Sequence, residues 1–406
     1  MNRIHKIIWS AIREKWIVVS EMAGAAGCPI ILSGALSIAA LVALWRPAAA
    51  LSPTELPTGG VITAGSGAIT TSGSDMTVRQ TSQKLVADWN TFNIGSQASV
   101  TFRQPDATAS ALNRIHDLDP SQIMGKLTAN GQLFLINQSG IIFGKTAQVN
   151  VGGVVATSLD MADRDFLEGK YRFSSAGAAG PVINQGVIEA MPGGVVALIS
   201  PQVENDGVIQ ADGGSAALLA GDKVSLDFGG DDMINFVIDH GAVQAQASNK
   251  GLIQADGGVA VMSARAASEL ARAAVNNTGI VRARTFANRA GKIVLVSDMK
   301  TGTTAVSGML DASAPNGGDG GFIETSGVTV KIADGTVVTT SAPRGASGTW
   351  LIDPNDFTIA ASGGDISGST LGSSLDGGDV KIQSSSGATL GNGDIFELSN
   401  LLCGMA

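Results

Sequence analysis

Few side chains in this chain of 406 residues have the types and spacing that acid–base, nucleophilic or metal chemistry needs. Its three histidines are His5, His116 and His240, and none stands at a spacing from Cys, Asp or Glu that is typical of a catalytic pair or a metal site. The sequence has no GxSxG, HExxH or phosphate-loop motif. We therefore predict no catalytic residues, no bound metal and no cofactor.

Three charged features of the sequence each have a functional interpretation and a simpler structural one. Residues 317–321, GGDGG, resemble one unit of a calcium-binding β-roll, but that site needs the unit in tandem, so a turn is favoured. Asp117 with Asp119, and Asp231 with Asp232, match the acidic residues of polysaccharide-cleaving β-helices in type alone. The basic cluster could contact sulfated glycans, although the net charge of −9 favours a solvated face; its members are Arg265, Arg272, Arg282, Arg284 and Arg289.

Asparagine is the residue whose spacing carries information. An Asn-x-Gly turn, two β-formers, a loop and a second apolar strand recur in residues 184–200, 205–221, 249–264 and 277–297, and residues 307–327 repeat the pattern without the Asn. A unit of about 20 residues cannot bury its own apolar face, so the copies must stack into a solenoid. We expect the asparagines of these turns to hydrogen-bond to one another as an amide ladder. The alternative is that they are present only because Asn favours turns. These residues are Asn184, Asn205, Asn249 and Asn277.

The order of segments predicts four regions. Residues 1–50 read as a signal peptide cleaved near Ala48 and Ala50, with a membrane anchor as the alternative. We expect residues 51–110 to cap the first coils, 111–330 to form the repeated β-structure, and 331–406 to continue the rod, in an apparently truncated chain. Residues 163–170 and 267–277 have helical composition, and residues 231–249 insert strand-like sequence between repeats.

The positions of the two cysteines and the net charge narrow the class of protein further. Cys28 lies in the leader and Cys403 near the last residue, so removal of the leader excludes an internal disulfide. An acidic rod is a poor electrostatic partner for nucleic acid.

Several motifs resemble one known family. Asn113-Arg114-Ile115, the run 129–137, Gly140-Ile141-Ile142-Phe143-Gly144, and residues 157–173 and 348–359 are similar to the secretion domain of two-partner secretion exoproteins, the filamentous haemagglutinin family. The leader, with MNRIHKIIWS and WIVVSE, resembles the extended signal-peptide region of large secreted proteins of Gram-negative bacteria.

The resemblance implies an all-β protein, a right-handed parallel β-helix with an N-terminal cap and small helical or hairpin excursions. It implies Sec export to the periplasm and passage through an outer-membrane β-barrel transporter with periplasmic domains. The expected product is a secreted or surface-exposed, adhesin-like exoprotein that is not an enzyme and that could bind a host glycan or receptor. The alternatives are the carrier region of a contact-dependent toxin or haemolysin and, more distantly, a polysaccharide-active enzyme.

The expected secretion motif is Asn113, Arg114 and Ile115 with a second segment, Asn137, Gln138, Ser139, Gly140 and Ile141. The family usually has Asn-Pro-Asn-Gly-Ile at the second segment. Gln-Ser presets the turn less than Pro-Asn does. We expect the fold to tolerate this change and recognition by the transporter to be the property it affects.

Overall fold

The computed structural model describes residues 5–10, 15–20, 51–175, 177–228, 235–384 and 395–397. The chain divides into two units, residues 1–50 and 51–406. In the first unit, strands His5–Ser10 and Lys15–Ser20 pair antiparallel. The predicted cleavage residues Ala48 and Ala50, and the acidic pair at 231 and 232, lie outside the described residues.

The second unit is built from three long sheets, which we number 1 to 3. From strand Ser121–Ile123 to strand Thr349–Asp353, each coil of chain contributes one strand to sheet 3, then one to sheet 2 and then one to sheet 1, and pairs in parallel with its neighbouring coils. The predicted all-β, parallel β-helix fold is confirmed.

The strands follow one another along the rod in the same order as in the sequence. Sheet 1 contains Val61–Ala64, Lys84–Trp89, Ser110–Ile115, Gln132–Asn137, Gly153–Thr157, Val195–Ser200, Ser215–Ala220, Val259–Ala264, Lys292–Ser297, Phe322–Ser326, Thr349–Asp353 and Asp379–Ile382. Sheet 2 contains Gly67–Ser72, Asp75–Gln80, Ser99–Arg103, Lys126–Ala129, Gln148–Val151, Val187–Ala190, Val208–Gln210, Leu252–Gln254, Ile280–Arg282, Met309–Asp311 and Val337–Thr339. Sheet 3 contains Ser121–Ile123, Ile141–Phe143, Val182–Asn184, Gln202–Asn205, Gln244–Asn249, Arg272–Asn277, Gly302–Val306 and Thr329–Ile332.

The interior is filled by aliphatic columns that run from coil to coil. Along each strand of sheet 2 the side chains alternate between the interior and the surface, because successive side chains of a strand point to opposite faces. The parallel register places one buried residue of each coil above the next, so that no coil is stable without its neighbours. The column of sheet 2 reads Val100, Leu127, Val149, Ile188, Ile209, Ile253, Val281, Leu310 and Val338.

The first strands differ from the rest in direction. Strand Val61–Ala64 pairs antiparallel with Lys84–Trp89, and Gly67–Ser72 pairs antiparallel with Asp75–Gln80. The hairpin makes Gly67–Ser72, most of whose residues are exposed, the edge strand of sheet 2 at this end. The boundaries proposed for the cap and the other regions stay predictions.

Two excursions leave the coils and meet on the outer face of sheet 1. The first holds the helix Asp163–Glu168, which lies within the predicted helical segment, and strand Tyr171–Ser174. The second excursion is a hairpin of strands Lys223–Asp227 and Asn235–His240. These two strands and Tyr171–Ser174 form one antiparallel sheet.

The prediction of helical turns at residues 267–277 was wrong. Residues Arg272–Asn277 form a strand of sheet 3, between the strands Gln244–Asn249 and Gly302–Val306. The Ala-rich composition suits a helix, but Ala273, Val275 and Asn277 alternate with more exposed residues and face the core. Their burial in the stacked coil outweighs the weak local preference.

The remaining elements follow the last long coils. A small sheet combines the strands Phe357–Ala360, Ile366–Ser367 and Ile395–Glu397, and a second helix spans Gly368–Leu375. Among the described residues, no helix is both long and apolar enough to cross a membrane.

Candidate functional site

The two segments of the predicted secretion motif lie next to each other in successive coils. Strands Ser110–Ile115 and Gln132–Asn137 pair in parallel in sheet 1, and their register sets Arg114 beside Ile136 and Ile115 beside Asn137. Segments 22 residues apart in sequence, as measured from Ile115 to Asn137, thus form one surface because one coil separates them.

The second segment forms a turn that glycine makes possible. Asn137 is fully buried; its amide donates to the hydroxyl of Ser121 at 2.9 Å, and its carbonyl oxygen accepts from the Ser139 backbone at 2.9 Å. Gly140 has a φ of 110°, and a Cβ there would lie 2.5 Å from the carbonyl oxygen of Pro181. Only glycine fits both constraints. The residues that depart from the family, Gln138 and Ser139, are the more exposed ones of this turn.

The first segment has one polar residue in the core and one at the surface. Asn113 faces the interior, fully buried, and its side-chain oxygen accepts from the indole of Trp89 at 3.0 Å. An indole N–H in a core needs such a partner. Ile115 packs inward beside it. Asn113 and Ile115 are therefore structural, and Arg114 is the residue of this segment that faces outward.

Arg114 joins the first excursion to sheet 1. Its guanidinium contacts Asp163 at 2.6 Å and Asp160 at 3.1 Å and donates to the carbonyl of Met161 at 2.5 Å. Burial lowers the pKa of Arg114, and the two carboxylates outweigh this effect and raise it above its usual value. The charge is therefore permanent and holds the start of the helix against the rod.

A groove of about 560 Å³ lies over both motif segments. Its lining includes Arg114, His116, Gln138 and Ser139. Leu118 borders it and is 93% exposed, which is unusual for a leucine in a short loop. The groove combines a charged wall with an apolar projection and is the best surface near the motif for contact with another chain.

The excursions cover a second apolar core on the outside of sheet 1. Phe134 of sheet 1 stacks on Tyr171 with ring centroids 5.0 Å apart, and Phe228 meets Tyr171 edge-on at 4.8 Å. Phe166 of the helix contacts Phe134 at 5.4 Å. Burial raises the pKa of the Tyr171 phenol above its ordinary value. The family-like segment 157–173 therefore works as a lid on this core.

The four repeat asparagines form a continuous ladder inside the rod. The amide of Asn184 donates to Asn205 at 2.8 Å, Asn205 donates to Asn249 at 2.7 Å, and Asn249 donates to Asn277 at 2.7 Å. All four side chains are fully buried. The parallel register puts Phe143 before this column and Val306 after it, so the ladder spans these four coils. It lies in later coils than the motif, and its role is structural.

The basic cluster is partly neutralised within the rod. Arg284 contacts Asp256 at 2.8 Å and Arg282 approaches the same carboxylate at 3.5 Å. Asp256 raises the pKa of Arg284, against an opposing effect of burial. These arginines stack on the acidic residue of the preceding coil, which sequence spacing did not reveal.

Sequence reasoning missed the partners of Arg114 and the aromatic cluster. Asp160, Asp163 and Tyr171 lie in a segment that the sequence marked as family-like and partly helical, without indicating what it contacts. Their contacts with sheet 1 depend on how the excursion folds back, and no periodicity encodes that. Within the described part of the chain, no group of three or more His, Cys, Asp or Glu residues could hold a metal ion.

Two family models and a solved structure match this chain. Residues 54–309 match the model of the TPS secretion domain, and residues 1–52 match the extended signal peptide of the type V secretion system. The crystal structure of the HMW1 secretion domain from Haemophilus influenzae superimposes with a TM-score of 0.62, at 23% identity, over 84% of this chain and 100% of that one. At this identity the likeness shows the fold alone.

Two curated relatives are heme/hemopexin-binding proteins of Haemophilus influenzae. One, from strain Rd, is 33% identical over 203 residues, which make up 48% of this chain and 22% of that protein. The other is 38% identical over 117 residues, 29% of this chain and 13% of that protein. The chain thus spans about a fifth or less of the length of these relatives.

The family model covers more than half of the chain, and the β-helix and the leader agree with it. The chain belongs to the TPS secretion domain family: it is exported through the periplasm of a Gram-negative bacterium, and this domain directs its two-partner secretion to the cell surface or the medium.

Proposed function

We propose that this chain is the export signal and first folded segment of a non-catalytic, adhesin-type exoprotein. Sec export brings it to the periplasm, and an outer-membrane β-barrel transporter with periplasmic domains carries it outward. The observation that supports this best is the match of residues 54–309 to the TPS secretion domain, in which segments 113–115 and 137–141 lie side by side in adjacent coils.

The stacked architecture supplies the free energy for the last step. No nucleotide is available at the outer membrane, so outward movement must be coupled to folding. Each coil that forms outside adds one residue to every interior column, as Ile209 does on Ile188, and closes one more row of backbone pairs. Fully burying such a side chain contributes about 1.5–3 kcal/mol, which opposes backward sliding.

Recognition in the periplasm uses backbone pairing before the coils close. An extended segment of the chain adds as a strand to a sheet edge of the transporter's periplasmic domains, and alternate side chains give specificity. Substitution of the residues of segment 137–141 that hold the turn should weaken binding to the periplasmic domains and slow the folding that follows.

The test compares Asn137→Ala with Asn276→Ala in cells that produce the chain with a two-partner transporter. Asn137 is fully buried, whereas Asn276 lies on the outer face of sheet 3. We expect Asn137→Ala to accumulate in the periplasm and Asn276→Ala to reach the medium. Equal secretion of both variants and wild type would contradict the role of the motif. Binding of each chain, unfolded in urea and diluted, to purified periplasmic domains separates recognition from folding.

The non-catalytic part of the proposal has its own test. It rests on the lack of a recognisable catalytic constellation in the sequence. Release of reducing sugar from plant or bacterial polysaccharides by the purified protein would replace it with the polysaccharide-active alternative.

A second candidate function comes from the relatives. Both curated proteins bind heme or hemopexin according to their names, so the exported protein could share that ligand. Titration with hemin, followed by its Soret absorbance, and capture on immobilised hemopexin test it. Binding to a host glycan or receptor is the corresponding test for the adhesin-type proposal, and a glycan array is the measurement.

A further inference from the structure

Sheet 2 carries an aliphatic row on its outer surface as well as in the core. At the first strand position of six successive coils the side chain points away from the interior and is aliphatic. The parallel register aligns these positions without a break, and we call them the outward stripe: Val187, Val208, Leu252, Ile280, Met309 and Val337. Earlier coils have polar residues, Gln148 and Lys126, at the same position.

The stripe remains open to solvent in this single chain. Val187 is 44% exposed, Ile280 41% and Val337 51%. Apolar side chains that form a continuous row on the surface, in contrast to singly scattered ones, are typical of an interaction site. The outer faces of the other two sheets differ. The antiparallel excursion sheet covers the apolar part of sheet 1, and the outward column of sheet 3 turns polar at Glu204 and continues with Ser248.

The spacing of the stripe selects its partner. Neighbouring strands lie about 4.8 Å apart, so the stripe presents one aliphatic side chain at each such step. An α-helix laid along it repeats about every 5.4 Å and drifts by roughly 3 Å over the five steps. A second copy of this rod has the same repeat and stays in register along the whole row. We propose that two copies of this chain pack side by side through their outward stripes.

An antiparallel arrangement of the two rods brings no like charges together. A two-fold axis across the rods places Leu252 of one copy opposite Ile280 of the other and sets the neighbouring polar columns face to face. That column reads Glu189, Gln210, Gln254, Arg282 and Asp311. The symmetry sets Gln254 opposite Arg282 and Gln210 opposite Asp311, so no like charges meet, although Arg282 already donates to Gln254 within each chain. Isologous contacts of this kind are the commonest in homodimers.

The contact is small, so the dimer is weak and reversible. A narrow stripe with one polar column beside it falls at the low end of interface sizes. Residues 51–406 of each copy also carry a net charge of −12, from 21 basic and 33 acidic residues, which opposes approach. Salt screens that repulsion and leaves apolar contacts intact, so dimerisation should strengthen as ionic strength rises.

Sedimentation velocity of residues 51–406, the unit that contains the whole β-helix core, tests the proposal. We expect a concentration-dependent dimer for the wild type, stronger at high salt. Leu252→Glu with Ile280→Glu should weaken dimerisation by about tenfold or more, since charges would be buried at the centre. The matched control, Ala274→Glu with Ala305→Glu on the outer face of sheet 3, should dimerise like the wild type. A monomeric wild type at every concentration and salt, or equal weakening in both variants, would overturn the proposal.

Cross-linking tests how the two rods are oriented relative to each other, and it changes only one residue of the stripe in each chain. In a Cys403→Ser background, a mixture of Val187→Cys and Val337→Cys chains should give a heterodimer with a bismaleimide that bridges thiols about 10 Å apart, because these positions face each other across the axis and packed sheets lie about that far apart. Val187→Cys alone should give none. A homodimer from Val187→Cys alone would overturn the antiparallel arrangement, and no cross-link in either experiment would overturn the pairing.

Discussion

At the scale of single residues, the two inner amides of the asparagine ladder, Asn205 and Asn249, are each bonded to an asparagine on both sides. Asn249 accepts from Asn205 and donates to Asn277, both at 2.7 Å. Asn249→Ala removes both bonds and leaves the neighbouring buried amide without its acceptor, so we expect a loss of about 1–3 kcal/mol in the free energy of unfolding. The urea midpoint measures it. Asn276→Ala, one residue before the ladder and on the outer face, should change the midpoint little, and an equal shift for both would contradict the ladder's role.

Tyr171 offers a second test at this scale, because it is the one tyrosine of the chain. Burial raises its pKa in the folded protein above the ordinary value of about 10. Between the two pKa values the unfolded chain has lost the proton and the folded chain has kept it. Stability therefore falls as pH rises above the unfolded pKa. The near-ultraviolet absorbance of tyrosinate should rise at higher pH in the folded protein than in urea; coincident titrations would show that the ring is not packed as described.

At the scale of elements, Arg114 fastens the helix Asp163–Glu168 to sheet 1. Arg114→Met keeps the aliphatic stem but removes the contacts with Asp160 and Asp163, so the excursion should open more often. We expect limited proteolysis within residues 158–170 to become about tenfold faster, since cleavage follows the open population. Arg164→Met is the control, because Arg164 pairs only within the helix surface, with Glu168. Equal cleavage of both variants would assign the attachment to the aromatic cluster instead.

At the scale of the whole molecule, stability passes from coil to coil. Ile253 is buried between Ile209 and Val281 in the column of sheet 2. Ile253→Ala should cost about 2–5 kcal/mol. Hydrogen exchange should speed up most in the two adjoining coils and fade with distance, because each coil contacts mainly its neighbours. Leu252→Ala, on the outer face, should have a much smaller effect, and uniform acceleration along the rod would indicate a single cooperative unit in place of stacked coils.

The sequence by itself determined the repeat, and through it the β-helix. Asn-x-Gly turns spaced 21, 44 and 28 residues apart, each followed by short strands with a period-two pattern, leave stacking as the one way to bury the apolar face. The buried positions Asn184, Asn205, Asn249 and Asn277 could be named for the same reason, since periodicity fixes which residues share a column.

Only the tertiary structure decided what lies on the outside of the coils. The meeting of residues 158–174 with strands 223–227 and 235–240, the partners of Arg114 and the outward stripe all depend on contacts between segments that share no period. The Ala-rich residues 272–277 are a further example, because burial in a coil overrode their local preference for helix. Local composition reports intrinsic propensity, whereas the register of stacked coils sets which side chains meet, and that register exists only once the chain has folded.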